Sequence, residues 1–362
     1  MIEIRVPLDA DSYTISIDAG ALASLPALLR QNNAGKKIVM ITDNKVNKLY
    51  GEDLAKRLIA GGYAVHTFSF PSGERHKSAR TLSRIYDWML TRHFSRDVTV
   101  ITLGGGVVGD LGGYAAATYL RGVHFIQIPT TLLAQVDSSV GGKVGINHKL
   151  GKNVIGAFYQ PKAVIIDPLT LRTLPQREIT CGLAESVKYG FIADEDLLSD
   201  VEHHFNRFLT LDDLTWVSGI IAQCCRIKAG VVEKDEKEHG LRRILNFGHT
   251  MGHALESATQ YKYFTHGEAI LWGMIGAAEI SHRLGYLTEA ELTRTLRIID
   301  SFEKPAIPEE ITVDALSSLM LNDKKVSDSG LHFVLLKGLG NAVVEVISDD
   351  VLRFGVERML RQ

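Results

Sequence analysis

Five short apolar runs, at residues 38–42, 64–70, 98–103, 125–128 and 163–166, punctuate the first 170 residues, with helix-period segments between several of them. Continuous runs of this length suit strands covered on both faces. Strands that alternate with helices must be joined by crossovers, which builds a mostly parallel sheet. From about Pro175 the pattern becomes a succession of amphipathic helices, for example 184–192, 214–232, 250–258 and 268–284. Two late runs, 332–336 and 343–347, flank the turn Gly338-Leu339-Gly340-Asn341 and predict a small hairpin. A chain of 362 residues exceeds what one hydrophobic core usually serves. The expectation is therefore an α/β domain over 1–170 and a mainly α-helical domain over 171–362, with the active site in the interdomain cleft.

Hydrophobic residues at 45% and charged residues at 23% are ordinary globular usage, and a net charge of -2 provides no broad basic field for nucleic acid or a membrane surface. The start Met1-Ile2-Glu3-Ile4-Arg5-Val6 has no secretory pattern, and no long uncharged apolar run follows. A cytoplasmic enzyme is expected. Cys181, Cys224 and Cys225 are too few and wrongly spaced for a disulfide framework or a cysteine-based zinc site, so they read as buried free thiols.

After the run 98–103 comes Gly104-Gly105-Gly106-Val107-Val108-Gly109-Asp110, which contains G-x-G-x-x-G ahead of a helix-compatible stretch. Such a loop lets a pyrophosphate approach amides at a helix start and marks the first domain as Rossmann-like. Its plain alternative is a glycine turn needed only for tight strand-to-helix packing. It follows a later strand than usual, and no acidic residue near position 130 stands ready for a ribose hydroxyl. Asp43, ending the first parallel strand, and Ser72-Gly73-Glu74 with Lys77, after the next, are further cofactor candidates.

The stretch Asn246-Phe247-Gly248-His249-Thr250-Met251-Gly252-His253 sets two histidines on one helix face, and His266-Gly267-Glu268 offers a third imidazole at a helix start. Spacing alone favours His249 with His253 as metal ligands. Glu185, on an otherwise apolar helix, is the candidate carboxylate, because coordination would offset the cost of burying its charge. Its plain alternative is an exposed glutamate paired with Lys188. Lys143, Lys152, Lys188, Lys228, Arg242, Arg243, Lys324 and Lys325 gather near these elements and suit a phosphorylated or carboxylated substrate.

Three long stretches carry a resemblance: 128–143 (from Ile128-Pro129-Thr130-Thr131 through Asp137 to Gly141-Gly142-Lys143), 183–190 (Leu183-Ala184-Glu185-Ser186-Val187-Lys188-Tyr189-Gly190) and 246–256, with Gly151-Lys152-Asn153 beside them. By these, and nearly end to end, the chain resembles the 3-dehydroquinate synthases, members of the sugar phosphate cyclase family. The resemblance implies that Glu185, His249 and His266 hold one divalent metal, zinc or cobalt, while His253 faces the substrate. It implies NAD contacts from Asp43, Ser72, Gly73, Glu74, Lys77, Gly105, Gly106, Val107, Val108, Gly109, Asp110, Thr130, Thr131, Lys143, Lys152, Thr170, Leu171, Arg172 and Thr173. Substrate contacts are implied for Lys143, Asn153, Lys188, Lys228, Glu238, Arg242, Asn246, His253, Lys325 and Asp137, with Arg121 reaching across a homodimer interface.

The implied chemistry converts 3-deoxy-D-arabino-heptulosonate 7-phosphate to 3-dehydroquinate and phosphate. NAD transiently oxidises a hydroxyl, phosphate is eliminated, the ketone is reduced again, and the opened ring closes by an intramolecular aldol step. Val144 departs from the family's common threonine and Lys149 from its common proline, which bears on the loop carrying Lys143 and Lys152. Three other readings compete: a sister cyclase of the deoxyinosose or valiolone type, a metal-dependent polyol dehydrogenase that releases NADH, and a non-catalytic NAD-binding module.

Overall fold

The computed structural model describes residues 1–322, 326, 327 and 330–362. It forms two compact units, Met1–Leu174 with Leu211–Lys237, and Pro175–Thr210 with Glu238–Gln362. The chain thus returns to the first unit for the helix Leu214–Lys234, a re-entry that a single boundary near residue 170 does not contain.

The first unit holds strands β1 (Ile2–Val6), β2 (Tyr13–Ile17), β3 (Lys37–Asp43), β4 (Ala64–Phe70), β5 (Thr99–Gly104), β6 (His124–Pro129), β7 (Lys143–His148), β8 (Gly151–Phe158) and β9 (Ala163–Ile166). Seven form one sheet in the order β1-β2-β9-β6-β5-β3-β4, parallel throughout except where β1 meets β2. All five predicted strands are present. Every residue of β5 is buried, as is the middle of β3, because helices cover both faces and only apolar side chains pack there at low cost. From β3 the chain steps outward to β4, then returns to the other flank of β3 for β5 and continues to β6 and β9. The direction of winding therefore reverses between β3 and β5, where the C-terminal strand ends leave a crevice.

The helix Gly106–Thr118 sits down on this sheet through its glycines. A Cβ on Gly109 would fall 2.3 Å from Nε2 of Gln127, and one on Gly112 2.4 Å from Cγ2 of Thr102. Two elements were not foreseen: the β1–β2 pair and the β7–β8 ribbon, a separate antiparallel pair in which Lys143 faces Phe158 and His148 faces Gly151. Val144 is buried on the ribbon's inner side, and a Cβ on Gly113 would lie 2.5 Å from its Cγ1. An apolar branched residue fits there. Lys149 lies in the exposed turn of the ribbon.

The second unit is mainly helical. Its helices Gln176–Ala193 and His266–Arg283 are buried almost all round, as central helices must be. The capping box of Thr265 with Glu268 makes His266 the first residue of its helix, and Gly248, with φ of 76°, turns the chain into the helix His249–Ala258. Helices Glu195–His203, Phe205–Thr210, Glu289–Asp300, Val313–Asn322 and Asp349–Leu360 also belong to the unit. Its three-stranded sheet joins β10 (Val326–Ser327), β11 (Gly330–Leu336) and β12 (Ala342–Ile347), and the predicted hairpin pairs Leu336 with Ala342.

Candidate functional site

In the first unit, the residues expected to meet a cofactor, apart from Lys143 on β7 and Lys152 on β8, follow the C-terminal ends of β3, β4, β5, β6 and β9, which lie at one edge because these strands are parallel. Asp43 ends β3, and its Oδ1 accepts from the amides of Lys45 at 2.8 Å and Val46 at 3.1 Å and from Oγ of Ser72 at 2.6 Å. Gly73 has φ of 114°, a conformation side chains rarely adopt, so the loop after β4 needs glycine there. Gly105, Gly106 and Val107 stay partly open at the helix start, where amides lack helical partners and favour an anion. The glycines therefore divide: Gly109 and Gly112 serve packing, and Gly105 and Gly106 leave backbone accessible.

Thr130 is buried, while Oγ1 of Thr131 accepts from the Ala134 amide at 3.2 Å. Thr170 and Leu171 are also buried, and Oγ1 of Thr170 accepts from Nε2 of Gln135 at 3.0 Å while donating to the Asp167 carbonyl at 2.8 Å. These two shape the segment. Arg172 and Thr173 are exposed on it, and Thr173 shares a 2.5 Å hydrogen bond with the Tyr50 hydroxyl.

Lys77 is only 4% exposed and pairs with both Asp110 and Asn153. Burial lifts the Asp110 carboxyl above its ordinary range against the pull of Lys77. Nδ2 of Asn147 donates to Glu74 at 2.7 Å, and Oδ1 of Asn147 accepts from the Asn153 amide at 2.9 Å. Glu74, Lys77, Asp110, Asn147 and Asn153 thus form one polar network. Asn147 escaped the sequence reading because nothing local distinguishes an asparagine in a ribbon. Lys143 is exposed directly after Gly141 and Gly142, whose φ angles are 95° and 67°; a Cβ on Gly142 would meet the Gln160 amide at 2.6 Å. Lys152 lies partly exposed on β8. Nζ of Lys228 reaches both Oδ1 and the carbonyl of Asp137 at 2.8 Å. Arg121 is exposed, with φ of 68°.

In the second unit, Glu185 is fully buried and its Oε1 lies 3.3 Å from Nε2 of His249 and 3.2 Å from Nε2 of His266. Its other oxygen pairs with Lys188, itself 1% exposed. The glutamate is thus both buried and lysine-paired, not a solvated surface charge. One donor atom from each of Glu185, His249 and His266 falls within 4.8 Å of the others. Two imidazoles and a carboxylate are a donor set that zinc takes while keeping a position open, so these residues fit a divalent metal. The Phe247 carbonyl lies 3.1 Å from Nδ1 of His249, which favours a proton on Nδ1 and a free lone pair on Nε2.

Helix spacing alone favours His249 with His253. Tertiary packing instead brings His249 and His266 around Glu185, and His253 falls with Glu256 and His266 in a neighbouring cluster. Burial opposes ionisation of Glu185, but Lys188 and His249 hold its carboxyl well below the usual range. Burial, followed by Lys188, pushes His249 down. His266 overcomes burial through Glu185 and Glu256 and rises to about 9. Nearby, Nδ2 of Asn246 donates to Oε1 of Glu238 at 3.1 Å, and Arg242 is 1% exposed. Lys325 lies outside the described residues.

The architecture is similar to that of solved sugar phosphate cyclases. One is 2-deoxy-scyllo-inosose synthase complexed with carbaglucose-6-phosphate, NAD and cobalt, at 25% identity and a TM-score of 0.89, covering 99% of each chain. Another is 2-epi-5-epi-valiolone synthase from Streptomyces hygroscopicus subsp. jinggangensis 5008 with NAD and zinc bound, at 28% identity and a TM-score of 0.89, covering 98% of each chain. Residues 67–181 match the 3-dehydroquinate synthase N-terminal model and residues 182–326 the 3-dehydroquinate synthase C-terminal model. The 3-dehydroquinate synthase of Geobacter metallireducens is 45% identical over 349 residues, 96% of this chain and 97% of that one. The chain belongs to the 3-dehydroquinate synthase family.

Proposed function

We propose that this chain converts 3-deoxy-D-arabino-heptulosonate 7-phosphate to 3-dehydroquinate and phosphate, using NAD and one divalent metal, zinc or cobalt. The observation that carries the proposal is the triangle of buried Glu185 and His249 with half-buried His266, found in a chain of this family. When bound, NAD takes and returns a hydride and the metal polarises the reacting alcohol oxygen.

The remaining work falls to the chain's own groups. Asp43, Ser72, Gly73, Glu74, Lys77, Asp110 and the Gly105–Gly106 helix start hold the cofactor at the sheet edge, with Thr130, Thr131 and the 170–173 segment beside them. Lys152 joins the cofactor contacts, and Lys143, Lys188, Lys228, Arg242 and Lys325 meet the phosphate and carboxylate, whose charges need cations when water is excluded. Elimination leaves negative charge on the departing phosphate, so these cations favour that step as well as binding. Asn153, Glu238, Asn246, Asp137 and His253 orient the sugar hydroxyls, His253 being placed to move a proton one turn from His249.

Residues 1–170 supply most of the cofactor contacts together with Asp137, Lys143 and Asn153 for the substrate, and 171–362 supply the metal ligands, the other substrate contacts, including Lys228 from the re-entrant helix, and the 171–173 end of the cofactor segment. A cytoplasmic homodimer in which Arg121 reaches the partner's site completes the proposal; no described helix is long and apolar enough to cross a membrane.

The test incubates metal-loaded protein with the heptulosonate phosphate and catalytic NAD, following phosphate, dehydroquinate and nicotinamide absorbance. Phosphate release without net NADH is the expected result, whereas accumulating NADH would indicate a dehydrogenase. No turnover with this substrate refutes the proposal. A sister cyclase activity is disfavoured because the two solved cyclases are 25% and 28% identical, against 45% for the Geobacter synthase.

A further inference from the structure

Glu256 ends the 246–256 stretch, yet no ligand or substrate role attaches to it above. It lies three residues after His253 and seven after His249, so all three share one face of the helix His249–Ala258. Its side chain is 3% exposed. One oxygen, Oε2, lies 3.7 Å from Nδ1 of His266 and 4.0 Å from Nε2 of His253. The His266 ring therefore spans two carboxylates, with Nε2 towards Glu185 and Nδ1 towards Glu256.

That arrangement has a chemical consequence. An imidazole bound to metal through one nitrogen carries a proton on the other, and a carboxylate facing that N–H selects the tautomer and turns the ring plane. Glu268, the other acid close to His266 in sequence, is taken up by Arg177 at 2.7 Å and by the Thr265 amide at 2.7 Å. Glu256 is the carboxylate left facing the ring.

We propose that Glu256 is a positioning residue of the metal centre. It holds Nδ1–H of His266 so that Nε2 faces Glu185 and His249, and the same oxygen keeps the more exposed His253 beside them. One carboxylate thereby links a metal ligand to the histidine proposed to face the substrate. This inference rests on the metal reading made above.

The experiment uses full-length wild-type protein, E256Q, E256D and H249A, each stripped by chelator and titrated with zinc against a chromophoric competitor, then with cobalt to record its visible bands. The expected result is one metal per chain in wild type and E256Q, with E256Q about 10–100-fold weaker and its cobalt bands displaced. E256D should recover part of the affinity, and H249A should lose the site. E256Q binding within about twofold of wild type, with an unchanged cobalt spectrum, would overturn the proposal, since removing an outer-shell partner has a larger effect. Two metals in wild type and one in E256Q would also overturn it, because Glu256 would then be a ligand. Wild-type protein that binds no metal would defeat the metal reading itself, which separates that failure from one confined to Glu256. Nitrogen-15 NMR of histidine-labelled, zinc-loaded wild type does not depend on any variant folding: a protonated Nδ1 on His266 supports the proposal, and metal at Nδ1 refutes it.

Discussion

Gly267→Ala should damage the metal centre without touching a ligand. Gly267 follows His266 at the start of its helix, and a Cβ there would fall 2.5 Å from both Cα and O of Cys181 and 2.9 Å from its carbonyl carbon. These are backbone atoms of the helix that carries Glu185 one turn later, so no side chain can swing away. Relief to ordinary contact, which begins at 3.4 Å, needs the two helices to part by about 1 Å at this point. Nε2 of His266 and Oε1 of Glu185 are 3.2 Å apart, and they ride on those two backbones. Metal–ligand distances tolerate only about 0.2 Å, so a displacement of this size should weaken zinc binding roughly 10–100-fold. Overpacking should also cost about 1–3 kcal/mol of stability. Gly219→Ala is the control: that glycine lies within the helix Leu214–Lys234, a Cβ added to it would meet nothing within 4 Å, and the variant should gain about 0.5–1 kcal/mol from helix propensity. Competitive zinc titration and urea unfolding of both variants provide the readout. Gly267→Ala with wild-type zinc affinity would refute the argument that this backbone contact sets the site.

Three further outcomes follow from the same geometry. His249→Ala should lose bound metal and turnover together, whereas His253→Ala should retain metal, measured by mass spectrometry of dialysed protein, and lose turnover; equal metal loss in both would break the assigned division. The Glu268 carboxyl, despite burial, is held below its ordinary range by Arg177 and Thr265. A carboxylate depressed by folding adds stability above its unfolded pKa of about 4.3, and that stability is lost as pH falls through the lower folded value; unfolding free energy should therefore drop less steeply below about pH 4 in Glu268→Gln than in wild type. Burial pushes the Cys181 and Cys225 thiols up to about 12, and Cys224 is buried as well, so a thiol reagent at pH 8 should label native protein slowly and all three cysteines once it is denatured, with fast labelling of either perturbed thiol in native protein counting against the packing described.

The sheet was legible because strands covered on both faces leave apolar runs, as β3, β5 and β9 do, while the edge strand β4, with His66, Thr67 and Ser69 among its apolar residues, shows the weaker pattern of a half-covered strand. The β7–β8 ribbon was not, since β8 alternates little and exposes Val154, Ile155 and Phe158, so its glycines and lysines read as loop chemistry. The same limit applied at the metal centre. A four-residue spacing reports which side chains share a helix face, and it correctly put His249 beside His253, with ring centroids 5.4 Å apart. It carries no information about which distant helix that face meets. The decisive fact is an absent side chain: Gly267 lets the His266 helix start lie against the Cys181 backbone, whose Sγ accepts the Gly267 amide at 3.1 Å. Gly273 does the same at the other helix, where a Cβ would sit 1.9 Å from the Gly248 carbonyl. Glycines read one at a time look like breaks in a helical pattern. Paired across helices, they bring Glu185, His249 and His266 to within reach of one ion, and that pairing is a property of the fold that spacing along one helix cannot express.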